Sequence, residues 1–347
     1  MPEWQREILL RRHARSRASV HRSSFPENDV LKDAGRSIAL EPMRGRKVIV
    51  GMTTTPGRIE YIEPTILALL NQTQPVTIVL NVPGEYNDRR NHWKKKKIEL
   101  PEWLKKCERI VIHRGLDYGP ATKLIGTAVA IRAGLVSADT STIVVASDDD
   151  HEWEPFALAT LLAHAVQKDA KGVWTYFSYP YPRERQNTAS KICVAQAGDL
   201  LAVPAAFLSS LEKWGNELLS PNGRLPSCFF VDDLFFAAYF KHNFDARVYA
   251  HPWRFWLFRE IKKRRQTVTP CRGACSPVTI RFRYPDALAM GKPRDNHNSN
   301  CHAELLALGW WPEEDEEERA FITTGESSSS SSRGEVSRER MNICLSG

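Results

Sequence analysis

The chain has 347 residues, 42% of them hydrophobic and 10% aromatic, with a net charge of +7. That is enough for one large α/β domain or two modest ones, and it excludes a wholly disordered chain. No apolar stretch reaches the roughly 18 residues of a membrane-spanning helix. The positive charge suits anionic partners such as nucleotide phosphates, and no motif for specific nucleic-acid binding is present.

Residues 1–45 are polar and basic, with Arg11, Arg12, Arg15, Arg17 and Arg22, and read as a disordered tail. They lack the apolar segment of a secretory signal; Glu3 and Glu7 weigh against an organelle transit peptide without removing that alternative. A cytoplasmic location is expected. Residues 313–347 are acidic and then Ser-rich, with six consecutive serines from Ser327, and read as a second tail.

Between these tails, in residues 46–312, strand and helix patterns alternate. Lys47–Gly51 reads as a strand, Pro64–Asn71 as a helix, and Val76–Val82 and Arg109–His113 as strands. Ala121–Val136 carries a stripe of Leu124, Ala128, Ile131 and Leu135, as a helix would. Thr142–Ala146 is a β-branched run, and Pro155–Gln167 has Leu158, Leu161, Leu162 and Ala165 on one helical face. This alternation predicts a Rossmann-like, mostly parallel sheet flanked by helices. After residue 170 the pattern loosens. Val173–Ser178 and Asp199–Val203 read as strands, Pro204–Trp214 as a helix, and Phe229–Phe240 is almost wholly apolar. Residues 46–170 and 171–312 therefore read as two halves of one domain, the second more irregular.

In a sheet of this kind ligands bind beyond the carboxyl ends of the strands, and three polar loops lie there. Thr53-Thr54-Thr55-Pro56-Gly57-Arg58 follows the first strand and offers hydroxyls and a guanidinium for phosphate. Asp117-Tyr118-Gly119-Pro120-Ala121-Thr122-Lys123 follows the third and opens a helix; Asp117 and Tyr118 are candidates for a base or sugar, Lys123 for an anion. Asp148-Asp149-Asp150 follows Thr142–Ser147. Three carboxylates beside a core strand are costly unless paired, and a hard cation such as Mg²⁺ or Mn²⁺ would resolve that. The alternative is an acidic loop that caps the next helix. Taken together the loops suit a nucleoside diphosphate.

At these positions the sequence resembles the GT-A-fold glycosyltransferases, in particular small soluble members from microbes, algae and large algal viruses. The strings that carry the likeness are Thr-Thr-Pro-Gly-Arg, Asp-Tyr-Gly-Pro-Ala-Thr-Lys and Ser-Asp-Asp-Asp, in that order, and the likeness covers roughly residues 46–255. The resemblance implies a GT-A-type sheet and an irregular acceptor-side C-terminal part. It also implies transfer of a sugar from a nucleoside-diphosphate sugar to a glycan or other hydroxyl acceptor. Asp150 would ligate Mn²⁺ or Mg²⁺, Asp148 would contact ribose or the metal, and Asp149 would stand behind them. Asp233, next to Asp232, would be the base of an inverting reaction. A C-terminal histidine, His297 or less readily His251, would add a metal or phosphate contact.

Each role has a plainer counterpart. Asp232 and Asp233 could cap a helix, Arg58 and Lys123 could be solvated charges, and Trp253 and Trp256 could be core rather than sugar platforms. Two other functions stay open: a sugar nucleotidyltransferase and a non-catalytic binding protein of the same fold. Seven scattered cysteines give no disulfide framework and read as free thiols in a reducing compartment. Cys271-x₃-Cys275 with Cys301-His302 is a poor zinc motif.

Overall fold

The computed structural model describes residues 46–87, 96–168, 172–182, 192–251, 278–281 and 292–311. Seven strands form the central sheet in the order β10-β6-β9-β4-β1-β2-β3. Four of them come from the first half: β1 (Val48–Thr53), β2 (Thr77–Asn81), β3 (Ile110–His113) and β4 (Ile143–Ser147). These are all parallel, β1 lying between β2 and β4. Parallel neighbours need crossovers, which are supplied here by α1 (Glu63–Leu70), the short α2 (Glu102–Lys105) and α3 (Thr122–Arg132).

Side chains alternate across β1 and β4 and so build two cores. Val48, Val50, Met52, Ile143 and Val145 face α1 and α4 (Ala157–Lys168), where Leu158, Leu161, Leu162 and Ala165 are buried as their helical spacing requires. Ile49, Val144 and Ala146 face α3 and the later helices α5 (Leu211–Leu218) and α6 (Asp232–Phe244). The mostly parallel sheet with helices on both faces is the architecture expected from the alternating pattern.

The second half departs from simple alternation. β6 (Val173–Thr175) and β10 (Val248–Ala250) pair in parallel, but β9 (Leu201–Pro204) runs antiparallel to both β4 and β6. The run expected as one strand over Val173–Ser178 splits into β6 and β7 (Ser178–Tyr181), and β7 forms a hairpin-like pair with β8 (Ile192–Ala195). The helix expected over Pro204–Trp214 divides into a 3₁₀ turn at Ala205–Leu208 and α5, with Ser209 and Ser210 at the break. Both serines favour turn geometry over helix continuation. α3 stops at Arg132, and Gly134 follows with φ +72°. Leu135 therefore lies past the helix end and is exposed, not on the buried stripe.

Several elements were not foreseen, β5 (His151–Trp153) and α7 (Lys292–Ala307) among them. β5 follows the Asp cluster directly and pairs antiparallel with β11 (Val278–Arg281). α7 takes in Asp295–Asn298, which reads as a polar loop in sequence, and has Pro293 near its start. The free-thiol expectation is also corrected. Cys228 and Cys301, 73 residues apart, form a disulfide that ties α7 to the segment before α6, and Cys193 is disulfide-bonded as well. Only folding brings such distant cysteines together, so their spacing gave no signal. Cys107 is buried and free. Among the described residues no helix is long and apolar enough to cross a membrane. Trp253, Trp256, Cys271 and Cys275 lie outside the described residues.

Candidate functional site

β4 delivers Asp148, Asp149 and Asp150 to the carboxyl edge of the sheet, beside the loop that leaves β1. Asp149 is the inward member of the three. Its carboxylate accepts hydrogen bonds from Thr54 Oγ1 at 2.6 Å and Arg58 Nη1 at 2.7 Å, and its carbonyl accepts one from Thr65 Oγ1 at 3.1 Å. Burial raises its pKa, with Arg58 opposing. Asp149 therefore fastens the β1 loop and α1 to the end of β4. Arg58 also stands 4.0 Å from Asp150. Thr53 Oγ1 donates to Asn81 O at 2.9 Å, which holds the ends of β1 and β2 together.

Lys123 is 2% exposed at the first turn of α3. Its ammonium is paired with Asp148 and lies 2.9 Å from Asp232 Oδ2. Burial works against its charge, but the two carboxylates outweigh burial and hold its pKa above the ordinary lysine value. Burial likewise pushes Asp148 up, and Lys123, His151 and Arg58 outweigh it, so Asp148 lies well below the usual carboxylate range. Lys123 is thus an internal tie between β4, α3 and the start of α6. This differs from the solvated charge its sequence position allows.

Asp117 and Tyr118 serve the same loop. Asp117 accepts from Gly119 N at 3.0 Å and from Asn87 N at 2.9 Å. Tyr118 is buried and donates to Asn216 Oδ1 at 2.5 Å; burial pushes its hydroxyl up to about 12. The loop needs glycine at 119: φ is +67°, and a Cβ there would lie 1.9 Å from Phe229 O. The loop before α3 is therefore seated on the segment that leads into Asp232 and Asp233.

That pair opens α6 as the apolar run Phe229–Phe240 suggests. Asp232 faces Lys123. Asp233 is 4% exposed, accepts from Ala197 N at 2.8 Å and lies 3.4 Å from the Tyr179 hydroxyl. The Asp233 contact comes from the β8–β9 turn, Gln196–Leu200, which had no assigned role. In that turn Leu200 holds φ +57°, and a Cβ on Gly198 would lie 2.3 Å from Asp148 Oδ2.

Asp150 accepts from His151 Nδ1 at 2.5 Å. Asp148, Asp150 and His151 each offer a ligand atom, and these atoms lie within 4.8 Å of one another. Among the described residues this is the group with metal-ligating spacing. His151 was missed because it follows three aspartates and reads as part of the next loop; β5 turns it back toward them. Burial lowers its pKa, but Asp150 and Asp199 outweigh burial and raise it to about 9. His297 lies outside this group, in α7, with its ring 4.6 Å from that of Phe230. His251 sits at the end of β10, against Tyr176.

No protein-family model matches this chain, and no curated protein matches it in sequence. Among solved structures it is similar to the mannosyltransferase PcManGT from Pyrobaculum calidifontis, a complex with GDP-Man and Mn²⁺. The identity is 14%, the match covers 91% of this chain and 92% of that one, and the TM-score is 0.35. It is also similar to 4-diphosphocytidyl-2C-methyl-D-erythritol synthase, at 14% identity, 48% and 79% coverage and TM-score 0.31. A third is the glycosyltransferase GlyE of Streptococcus pneumoniae TIGR4, at 12% identity, 76% and 63% coverage and TM-score 0.32. Similarity at this level assigns no activity.

Proposed function

We propose that this protein is a metal-dependent glycosyltransferase that moves a sugar from a nucleoside-diphosphate sugar to a hydroxyl acceptor. The observation that carries the reading is the meeting of Asp148, Asp150 and His151 within 4.8 Å at the carboxyl end of β4. The Arg58 loop stands on one side of this group and the Asp232–Asp233 helix start on the other. Carboxylates at this spacing fit a divalent cation such as Mn²⁺ or Mg²⁺. When bound, such a cation supplies charge neutralisation for a departing diphosphate.

The chain's own groups divide the remaining work. Arg58, held by Asp149, presents positive charge at the rim where a diphosphate would lie. Lys123 keeps Asp148 ionised and aligned. Asp233, fixed by the Ala197 N–H, is the proposed base: it removes the proton from the acceptor hydroxyl as that oxygen attacks the anomeric carbon, which inverts the configuration there. Residues 46–170 form the donor-side half and residues 171–312 the acceptor-side half of this reading.

The first test is binding of UDP, GDP, dTDP and CDP and their common sugars by thermal shift, with and without Mn²⁺, on wild type and Asp150→Ala. A metal-dependent shift that is lost in Asp150→Ala supports the site, and the preferred base selects donors for turnover assays. Transfer of sugar to a hydroxyl acceptor supports the reading. Release of pyrophosphate from a nucleoside triphosphate and a sugar phosphate replaces it with nucleotidyl transfer. Binding without turnover by either route replaces it with a binding protein.

A further inference from the structure

His151 has features that a structural histidine does not need. Its residue is 6% exposed, and its Nε2 is buried without a hydrogen bond. Asp199 Oδ1 waits 3.6 Å from that nitrogen, just beyond hydrogen-bond reach. The ring is stacked on Trp153, with centroids 5.5 Å apart, and Trp153 is itself anchored by Nε1 donating to Ser147 Oγ at 3.2 Å. Nδ1 points at Asp150. A buried imidazole is thus clamped with one nitrogen toward the carboxylate pair and the other toward a third carboxylate. An unpaired buried polar atom is costly, and the cost is relieved if Nδ1 ligates a cation while Nε2–H donates to Asp199. Metal-bound histidines commonly have such a carboxylate behind them, which fixes the tautomer and raises ligand basicity.

We propose that His151 is a nitrogen ligand of the metal held by Asp148 and Asp150, that Asp199 is its positioning residue, and that the site thereby selects Mn²⁺ over Mg²⁺. Imidazole suits transition ions, whereas Mg²⁺ favours oxygen ligands alone. Asp199 is buried and acts through His151. It arrives on the β8–β9 turn, the same turn that places Gly198 against Asp148 and the Ala197 N–H on Asp233. One turn would therefore align the metal's imidazole and the base together. The inference rests on the proposed metal site and not on the identity of the sugar or acceptor.

The test uses the full-length protein stripped of metal and titrated with Mn²⁺ and Mg²⁺ alone, without nucleotide. Pulsed EPR of the Mn²⁺-loaded wild type is expected to show coupling to a histidine nitrogen. The coupling persists in His297→Ala and disappears in His151→Gln. Asp199→Asn is expected to weaken Mn²⁺ binding by about 10- to 100-fold, with Mg²⁺ affinity changed much less. Loss of nitrogen coupling in His297→Ala overturns the assignment. So does a wild type that binds Mn²⁺ with no nitrogen coupling, and that result leaves the glycosyltransferase reading standing. A wild type that binds no divalent ion overturns both. If His151→Gln does not fold, the wild-type, His297→Ala and His251→Ala spectra carry the test, and loss of coupling in either of those variants overturns the assignment.

Discussion

The two sides of the candidate site are held by different forces. On the side built from β1–β4, each carboxylate of the Asp cluster has a cationic partner: Asp148 with Lys123, Asp149 with Arg58, Asp150 with His151. On the side built around the start of α6, Asp233 accepts from a backbone N–H, and the segment before it is braced by the Cys228–Cys301 disulfide and by Glu304, whose carboxylate accepts from Ser227 N at 3.1 Å. The first side is held electrostatically and would answer to removal or reversal of charge. The second is braced covalently and by packing and would answer to reduction and to loss of packing. Among the contacts that join them are Lys123 with Asp232, Tyr118 with Asn216 and the packing of Gly119 against the backbone of Phe229.

Cutting the joint should have the largest effect. Lys123→Met leaves Asp148 and Asp232 without their buried cation. Breaking a buried pair costs about 3–5 kcal/mol, so a large fall in denaturation midpoint is expected, with both sides lost in one transition. A midpoint within a degree of wild type would show that the two sides do not depend on this tie.

Removing the brace comes next. Cys228→Ala with Cys301→Ala should cost about 2–4 kcal/mol, in line with disulfides that close long loops. Hydrogen exchange should quicken in α7 and at the start of α6 while β1, β2 and β3 keep wild-type protection. Uniform loss across the sheet would collapse the distinction between the sides.

Gly119→Ala is expected to cost about 1–3 kcal/mol from a positive φ alone, and the contact with Phe229 O adds to it. Hydrogen exchange should quicken both in the loop before α3 and at the start of α6, since this glycine serves each side. A variant that melts like wild type would place the loop elsewhere than on Phe229.

The smallest effect belongs to His113, at the end of β3. Burial lowers its pKa, and its Nδ1 lies 3.0 Å from Asn81 Oδ1. The folded state thus takes up a proton less readily than the unfolded chain, whose histidines titrate near 6.5. Its contribution is present above that pH and is lost as pH falls below it. The melting temperature of wild type should drop more than that of His113→Gln on going from pH 7 to pH 5.5; equal drops would refute the assignment.

The first half of the fold was legible because its signals are local. β-branched runs gave β1–β4 within a few residues, helical periodicity gave α3 and α4, and the polar loops sit at strand ends where a parallel sheet exposes them. The grouping of Thr54, Arg58, Lys123 and Asp148–Asp150 followed from that topology. Tertiary structure alone decided which of those groups face each other. A sequence marks Lys123 as a cation at a helix start; only packing buries it between two aspartates. Likewise His151 meets Asp199 only because the β8–β9 turn packs against the Asp cluster. The Cys228–Cys301 bond and the helix around His297 depend on contacts between segments about seventy residues apart, which no local period encodes. Composition and periodicity fix what a segment can form on its own, whereas the partners of buried charges are fixed by long-range closure of the chain.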